Sequence, residues 1–200
     1  MLLNPPRYKG VPVARVYRSE YLSKSILLPP ADFAYFSSQL KMMGHETKIK
    51  ILDANGENLT QEKTLKKVLK FEPDILITKG LLDILNHDLH VAKEYKRQRP
   101  DSTILLSTRT GLGFETKIMG KYTFLDGILR GEIDAFATDI VTQRLDKIEG
   151  VFTPQNTKVP IRVVKDLNLN PIPDIDALPA LWYKSYHMKG FYIESGYALI

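Results

Sequence analysis

Phe71-Glu72-Pro73-Asp74-Ile75-Leu76-Ile77-Thr78-Lys79-Gly80 is the stretch on which the fold turns. Pro73-Asp74 punctuates, and Ile75-Leu76-Ile77-Thr78 is then apolar without alternation. A short unbroken run between turn residues suits a strand buried on both faces, the kind found in parallel sheets covered by helices. Helical patterns flank it. Upstream, Thr60 is placed to cap a helix with Glu62 in its first turn, lysines toward its end, and Leu65, Val68 and Leu69 on its apolar face. Downstream, Leu85, Leu89 and Ala92 mark a helix that stops before Pro100, and Thr103-Ile104-Leu105-Leu106-Ser107 follows as a second buried strand.

The alternation continues to both ends. Leu2-Leu3 is a very short first strand stopped by Asn4-Pro5-Pro6, because proline cannot donate to a ladder. Arg7 to Pro29 has weak periodicity and reads as a long loop. Phe33, Phe36, Leu40 and Met43 recur at helical spacing, with Gly44 as C-cap. A strand from Lys48 ends at Asp53-Ala54. Thr110 to Thr123 holds three glycines and one short helix; Asp126-Gly127-Ile128-Leu129 is a fifth strand, and Ile133, Phe136, Ile140 and Leu145 trace a last helix. Strands alternating with helices argue for an α/β fold, a doubly wound five-stranded parallel sheet in the flavodoxin-like order 2-1-3-4-5. Residues 1–149 form this domain. Residues 150–200 are expected to be a hairpin of Val151-Phe152 with Ile161-Arg162-Val163-Val164, then a proline-rich extended strap from Asn170 to Pro179.

The chain has 200 residues, 44% of them hydrophobic and 26% charged, an ordinary soluble composition that can bury a core without staples. It has no cysteine, which excludes disulfides, cysteine nucleophiles, thiolate zinc sites and any iron–sulfur cluster ligated by these residues. The net charge of +5 is spread out. Its densest groups, Lys63, Lys66, Lys67 and Lys70, then Lys93, Lys96, Arg97 and Arg99, fall on amphipathic patterns and read as solvated helix faces rather than a nucleic-acid surface. Without a membrane-length apolar run or a signal-peptide layout, the expected location is cytoplasmic, with no membrane partner.

In an open parallel sheet the ligand crevice lies beyond the carboxyl ends of the strands, where strand order reverses. That rule selects Asn4 and Pro5 after the first strand, Thr78, Lys79 and Gly80 after the third, Ser107, Thr108 and Gly111 after the fourth, and Arg130, Gly131 and Glu132 after the fifth. Hydroxyls, close-approach glycines and cations suit a polar ligand with phosphate or amide groups. Arg130 and Glu132 are equally suited to an ion pair bracing their loop. Gly111-Leu112-Gly113 lacks the third glycine of a dinucleotide fingerprint, and Thr116 stands in its place. His87 and His90 lie three apart beside Asp83 and Asp88, which reads as a wet helix face before a metal site. His45 and His187 have no evident acid–base partner. No nucleophile elbow or P-loop occurs, and no catalytic residue is assigned.

Asn4-Pro5-Pro6, Pro29-Pro30, Gly44-His45-Glu46, Asp53-Ala54, Phe71-Glu72-Pro73-Asp74-Ile75-Leu76, Asp126-Gly127-Ile128-Leu129-Arg130-Gly131-Glu132 and Ile172-Pro173-Asp174-Ile175-Asp176-Ala177-Leu178-Pro179 form an ordered set. In that order and spacing the chain resembles the N-terminal cobalamin (B12)-binding-like domain of B12-dependent radical SAM Fe–S oxidoreductases and methyltransferases, from Leu2 to about Leu199. Glu194 to Ile200 looks like the lead-in to that family's cluster motif. The resemblance implies cobalamin across the carboxyl ends of the strands, held by the rim named above. It also implies a [4Fe–4S] cluster and S-adenosylmethionine in a C-terminal part beyond Ile200, and a radical SAM catalytic domain as partner, in cis or trans. These residues alone are expected to be catalytically silent. The chain departs from the family pattern in two places. No Asp-x-His-x-x-Gly stretch follows the first strand, and the loop usually carrying a double glycine reads Ser107-Thr108-Arg109-Thr110. The alternative is a degenerate domain without corrin that acts as a scaffold or substrate-docking module. A receiver-like or nucleotide-binding form of the fold is a third reading, and Asn4-Pro5-Pro6 stands where a receiver needs its acidic cluster.

Overall fold

The computed structural model describes residues 1–16, 19–22, 27–44, 48–164, 171–179, 184–185 and 188–189. Its centre is a six-stranded sheet. The strands are β1 (Leu2–Asn4), β4 (Ile51–Asp53), β5 (Ile75–Lys79), β6 (Thr103–Ser107), β7 (Gly127–Leu129) and β8 (Val151–Phe152), and they run β4-β1-β5-β6-β7-β8 across the sheet. The first five are parallel, in the flavodoxin-like order; β8 adds antiparallel to β7 through Ile128↔Phe152 and Leu129↔Val151.

Alternation within each strand decides which layer each side chain enters. Leu3, Leu52, Leu76, Ile104, Leu106 and Ile128 face one way, onto α2 (Gln61–Phe71), α4 (His90–Gln98) and α5 (Glu115–Lys121) through Val68, Ala92, Tyr95 and Ile118. Leu2, Ile51, Ile77, Leu105 and Leu129 face the other way, onto α1 (Ala31–Met42) and α6 (Ala137–Thr142) through Phe33, Phe36, Leu40 and Ile140. Both faces of the sheet are therefore dry, which is why these strands lack a polar stripe. Local signals act as their chemistry requires. The Thr60 side chain accepts from the Lys63 amide at the start of α2, and Gly44 takes a φ of +79° just beyond α1.

Three segments differ from the sequence expectation. The span from Arg7 to Pro29 is not all loop: β2 (Val13–Val16) and β3 (Ser19–Leu22) pair antiparallel. Val151-Phe152 does not form a hairpin with Ile161–Val164; Arg162 instead bridges in parallel to Gly131. The single helix expected around Leu85 to Ala92 is broken into a 3-10 turn (Leu82–Ile84), α3 (Leu85–Asp88) and α4. The strap lies along α1, where Asp174 accepts from Ser37 and Lys41 and the Ile172 carbonyl accepts from Ser38 at 2.6 Å. A short antiparallel pair, β9 (Lys184–Ser185) with β10 (Met188–Lys189), follows. His45, Glu46, Asn170, His187 and Glu194 to Ile200 lie outside the described residues.

Candidate functional site at the switch point

The chain leaves β1 outward to β4 and recrosses to β5 on the other flank of β1. The topological switch point is thus the carboxyl end between β1 and β5, where folds of this type take their ligands. Arg15, on β2, stands there and is buried. Its Nε and Nη2 donate to the two carboxylate oxygens of Asp88, at 2.9 and 2.5 Å. Nη1 donates to the Pro5 carbonyl at 3.0 Å and to Asn4 Oδ1 at 3.3 Å, and Nη2 also donates to the Pro6 carbonyl at 3.1 Å. A planar guanidinium with forked donors suits a carboxylate on one side and carbonyl oxygens on the other.

The neighbouring polar groups complete a closed network. Asn4 Nδ2 donates to Asp53 Oδ1 at 2.7 Å, and that oxygen also accepts the Gly56 amide at 2.9 Å. The Asn55 side chain holds the backbone of Val13 from both sides, accepting its amide at 2.9 Å and donating to its carbonyl at 3.1 Å. Lys79 is buried, with Nζ 2.5 Å from Asp32 Oδ1, 2.6 Å from the Arg15 carbonyl and 4.7 Å from the centre of the Phe33 ring. Asp88 Oδ2 accepts the Leu81 amide as well. Few such groups are fully buried in proteins unless paired, and each of these has partners within the chain.

The remaining sequence-selected residues lie on the same edge but face their own neighbours. Pro5 gives its carbonyl to Arg15, Thr78 is buried and bonds back to the Lys79 carbonyl, and the Ser107 carbonyl accepts the Gly80 amide at 3.1 Å. A Cβ on Gly80 would come within 2.6 Å of Leu85 and 2.8 Å of Leu106. One on Gly111 would come within 2.5 Å of Thr108 and 2.9 Å of Ile118, and Thr108 Oγ1 already accepts the Gly111 amide. Arg130 does not pair with Glu132. It pairs with Glu115 at 2.7 Å and donates to the Val159 carbonyl, while Glu132 accepts the Val164 amide at 2.8 Å. Gly131, at φ +140°, lies directly against the backbone of Arg162. On the Cβ side, Gly80, Gly111 and Gly131 meet the protein's own atoms; with Arg15 bonded across the switch point, the residues as they stand do not fit a corrin tail there.

Sequence reasoning missed Arg15, Asp88, Asp53, Asn55 and Asp32. The spacing places Asp88 with His87 and His90 on a wet helix face, yet its carboxylate is fully buried. His87 is half-buried, 5.2 Å from the Tyr8 ring centre in an edge-on contact, and its backbone carbonyl accepts from Gln61. Among the described residues no group of three or more His, Cys, Asp or Glu is arranged to hold a metal ion. On α2 and α4 several basic side chains meet acids, with Lys66–Glu62, Lys96–Asp126 and Arg97–Glu94 among the pairs. A groove of about 440 Å³ opens at the opposite, amino end of the strands, lined mainly by carbon from Phe36, Leu40, Ile49, Phe71 and Ile140. No described helix is long and apolar enough to cross a membrane.

No family model matches the sequence. An uncharacterized methyltransferase of Pyrococcus horikoshii is 26% identical over 166 residues, which cover 78% of this chain and 36% of that protein. The chain thus spans about a third of the length of the curated relative it matches. It is distantly similar to a methyltransferase and has a flavodoxin-like, Rossmann-like fold.

Proposed function

We propose that this chain is the N-terminal, cobalamin-binding-like domain of a radical SAM methyltransferase-type protein whose corrin crevice is closed by its own chain. In this reading it is a scaffold that docks a catalytic radical SAM domain, in cis or in trans, rather than a corrin carrier. The observation that carries it is Arg15 at the switch point, bonded to Asp88, Asn4, Pro5 and Pro6. The sequence resemblance, the strand order and the distant methyltransferase relative support the domain type. The cluster and S-adenosylmethionine belong to the partner in this reading, since these 200 residues include no cysteine.

What the chain's own residues do follows from the network. Arg15, Lys79 and Asn55 tie the β2–β3 pair onto the ends of β1, β4 and β5 and exclude water from that edge. Glu132, Arg130 and Gly131 tie residues 159–164 over the end of β7. In this reading the edge so closed is the surface that meets the catalytic domain. The test is gel filtration after incubation with excess hydroxocobalamin. Corrin absorbance is expected to elute with free ligand; its elution with protein near one per chain overturns the closed-crevice reading.

A further inference from the structure

We infer that the amino end of the sheet is a self-association face, through which two copies of this chain meet about a twofold axis. Among the described residues seven large apolar side chains are exposed, and four of them, Met42, Met43, Val141 and Ile172, gather at one corner. Three separate elements bring them there. Met42 lies one turn beyond Ser38 on the same side of α1, and Ser38 holds the Ile172 carbonyl at 2.6 Å, so the strap sets Ile172 beside Met42. Met43 lies one turn beyond Leu40, and Leu40 lines the amino-end groove together with Ile140 and Val141 of α6. Ile172 is 86% exposed and Met42 74%, although the backbone that carries Ile172 is tied to α1. Single apolar side chains are ordinary on a surface, whereas a cluster around an apolar cleft marks a contact site.

The cleft beside this ridge identifies the occupant as a second copy. It measures about 440 Å³ and is walled by carbon from Phe36, Ile49 and Phe71 as well as Leu40 and Ile140. A ridge and a cleft side by side on one surface suit an isologous contact: the ridge of each copy enters the cleft of the other, and every contact is made twice. The charges fit the same arrangement. Lys48 precedes β4 and Asp74 precedes β5, so the two stand on opposite flanks of β1 at the mouth of the cleft. A twofold axis between them brings Lys48 of each copy to Asp74 of the other. Glu72, also at the mouth, is already paired with Arg99. This face lies at the end of the sheet away from the switch point. It therefore goes beyond the closed-crevice reading, does not depend on it, and leaves the carboxyl edge of both copies free.

Sedimentation velocity of the 200-residue chain between ~2 and ~200 µM is the test. A monomer–dimer equilibrium with its midpoint in the tens of micromolar is expected, the behaviour of a small, transient interface. A monomer at every concentration overturns the proposal, and so does growth past the dimer, since ridge and cleft then meet head to tail. Ile172→Glu and Met42→Glu change side chains that already face solvent, so the fold is retained. Each is expected to raise the dissociation constant at least tenfold, with the thermal midpoint in dilute solution within about 2 °C of wild type. Val163→Glu, an exposed position beside the end of β7, is expected to leave association unchanged. Dimers that survive both ridge variants, or that are lost equally in Val163→Glu, place the contact elsewhere and overturn the face. Charge reversal tests the twofold pairing. Lys48→Glu and Asp74→Lys are each expected to weaken the dimer severalfold at low salt, and the double variant to recover wild-type association. A double variant weaker than either single one contradicts the pairing.

Discussion

Arg15 and Asp88 are 73 residues apart in sequence, and both are buried where neither residue type is stable alone. Removing one partner leaves the other charge uncompensated in a dry site, which costs far more than the pair contributes while intact. Asp88→Ala is therefore expected to lower unfolding free energy by about 3–5 kcal/mol in denaturant titration; a loss near that of a surface pair, below about 1 kcal/mol, contradicts the geometry. This is also the scale at which sequence reading failed. Val13-Ala14-Arg15-Val16 carries a charge in mid-strand, and only a partner far along the chain makes that charge internal. Lys79 was legible as a residue at a strand end but not as a buried cation, because Asp32 and Phe33 reach it from a separate helix.

Elements were easier to read than residues. Ile75–Lys79 and Thr103–Ser107 stand out because a strand dry on both faces needs no polar positions, and the start of α2 is fixed locally by Thr60. β8 and the bridge at Arg162 look like one hairpin in sequence because each is two residues or fewer, and pairing partners that short carry no periodic signal. The strap was legible as extended chain, but its seat was not. Asp174 is bonded through its carboxylate by Ser37 and Lys41, and its backbone amide donates to the Ala34 carbonyl, so one residue joins the strap to α1 by side chain and backbone. Asp174→Ala is expected to speed proteolytic cleavage within 171–179 severalfold while leaving the thermal midpoint within about 2 °C. Unchanged cleavage would mean that Ile172 and the apolar contacts of Ala177 and Leu178 hold the strap without it.

At the scale of the whole molecule, strand order, two apolar layers and a network at one edge define a flavodoxin-like domain whose ligand-taking end is satisfied from within. The order was legible because helices and strands alternate regularly; the closure was not, because it depends on a strand pair that returns over the sheet ends. Arg15 fills the switch point, and its guanidinium can be watched directly by NMR with arginine nitrogens labelled. The Arg15 Nε–H is expected to exchange slowly with water at neutral pH, unlike that of the exposed Arg144, and to keep its shift when hydroxocobalamin is added. An Arg15 signal that exchanges as fast as Arg144, or that moves stoichiometrically with corrin, contradicts the account.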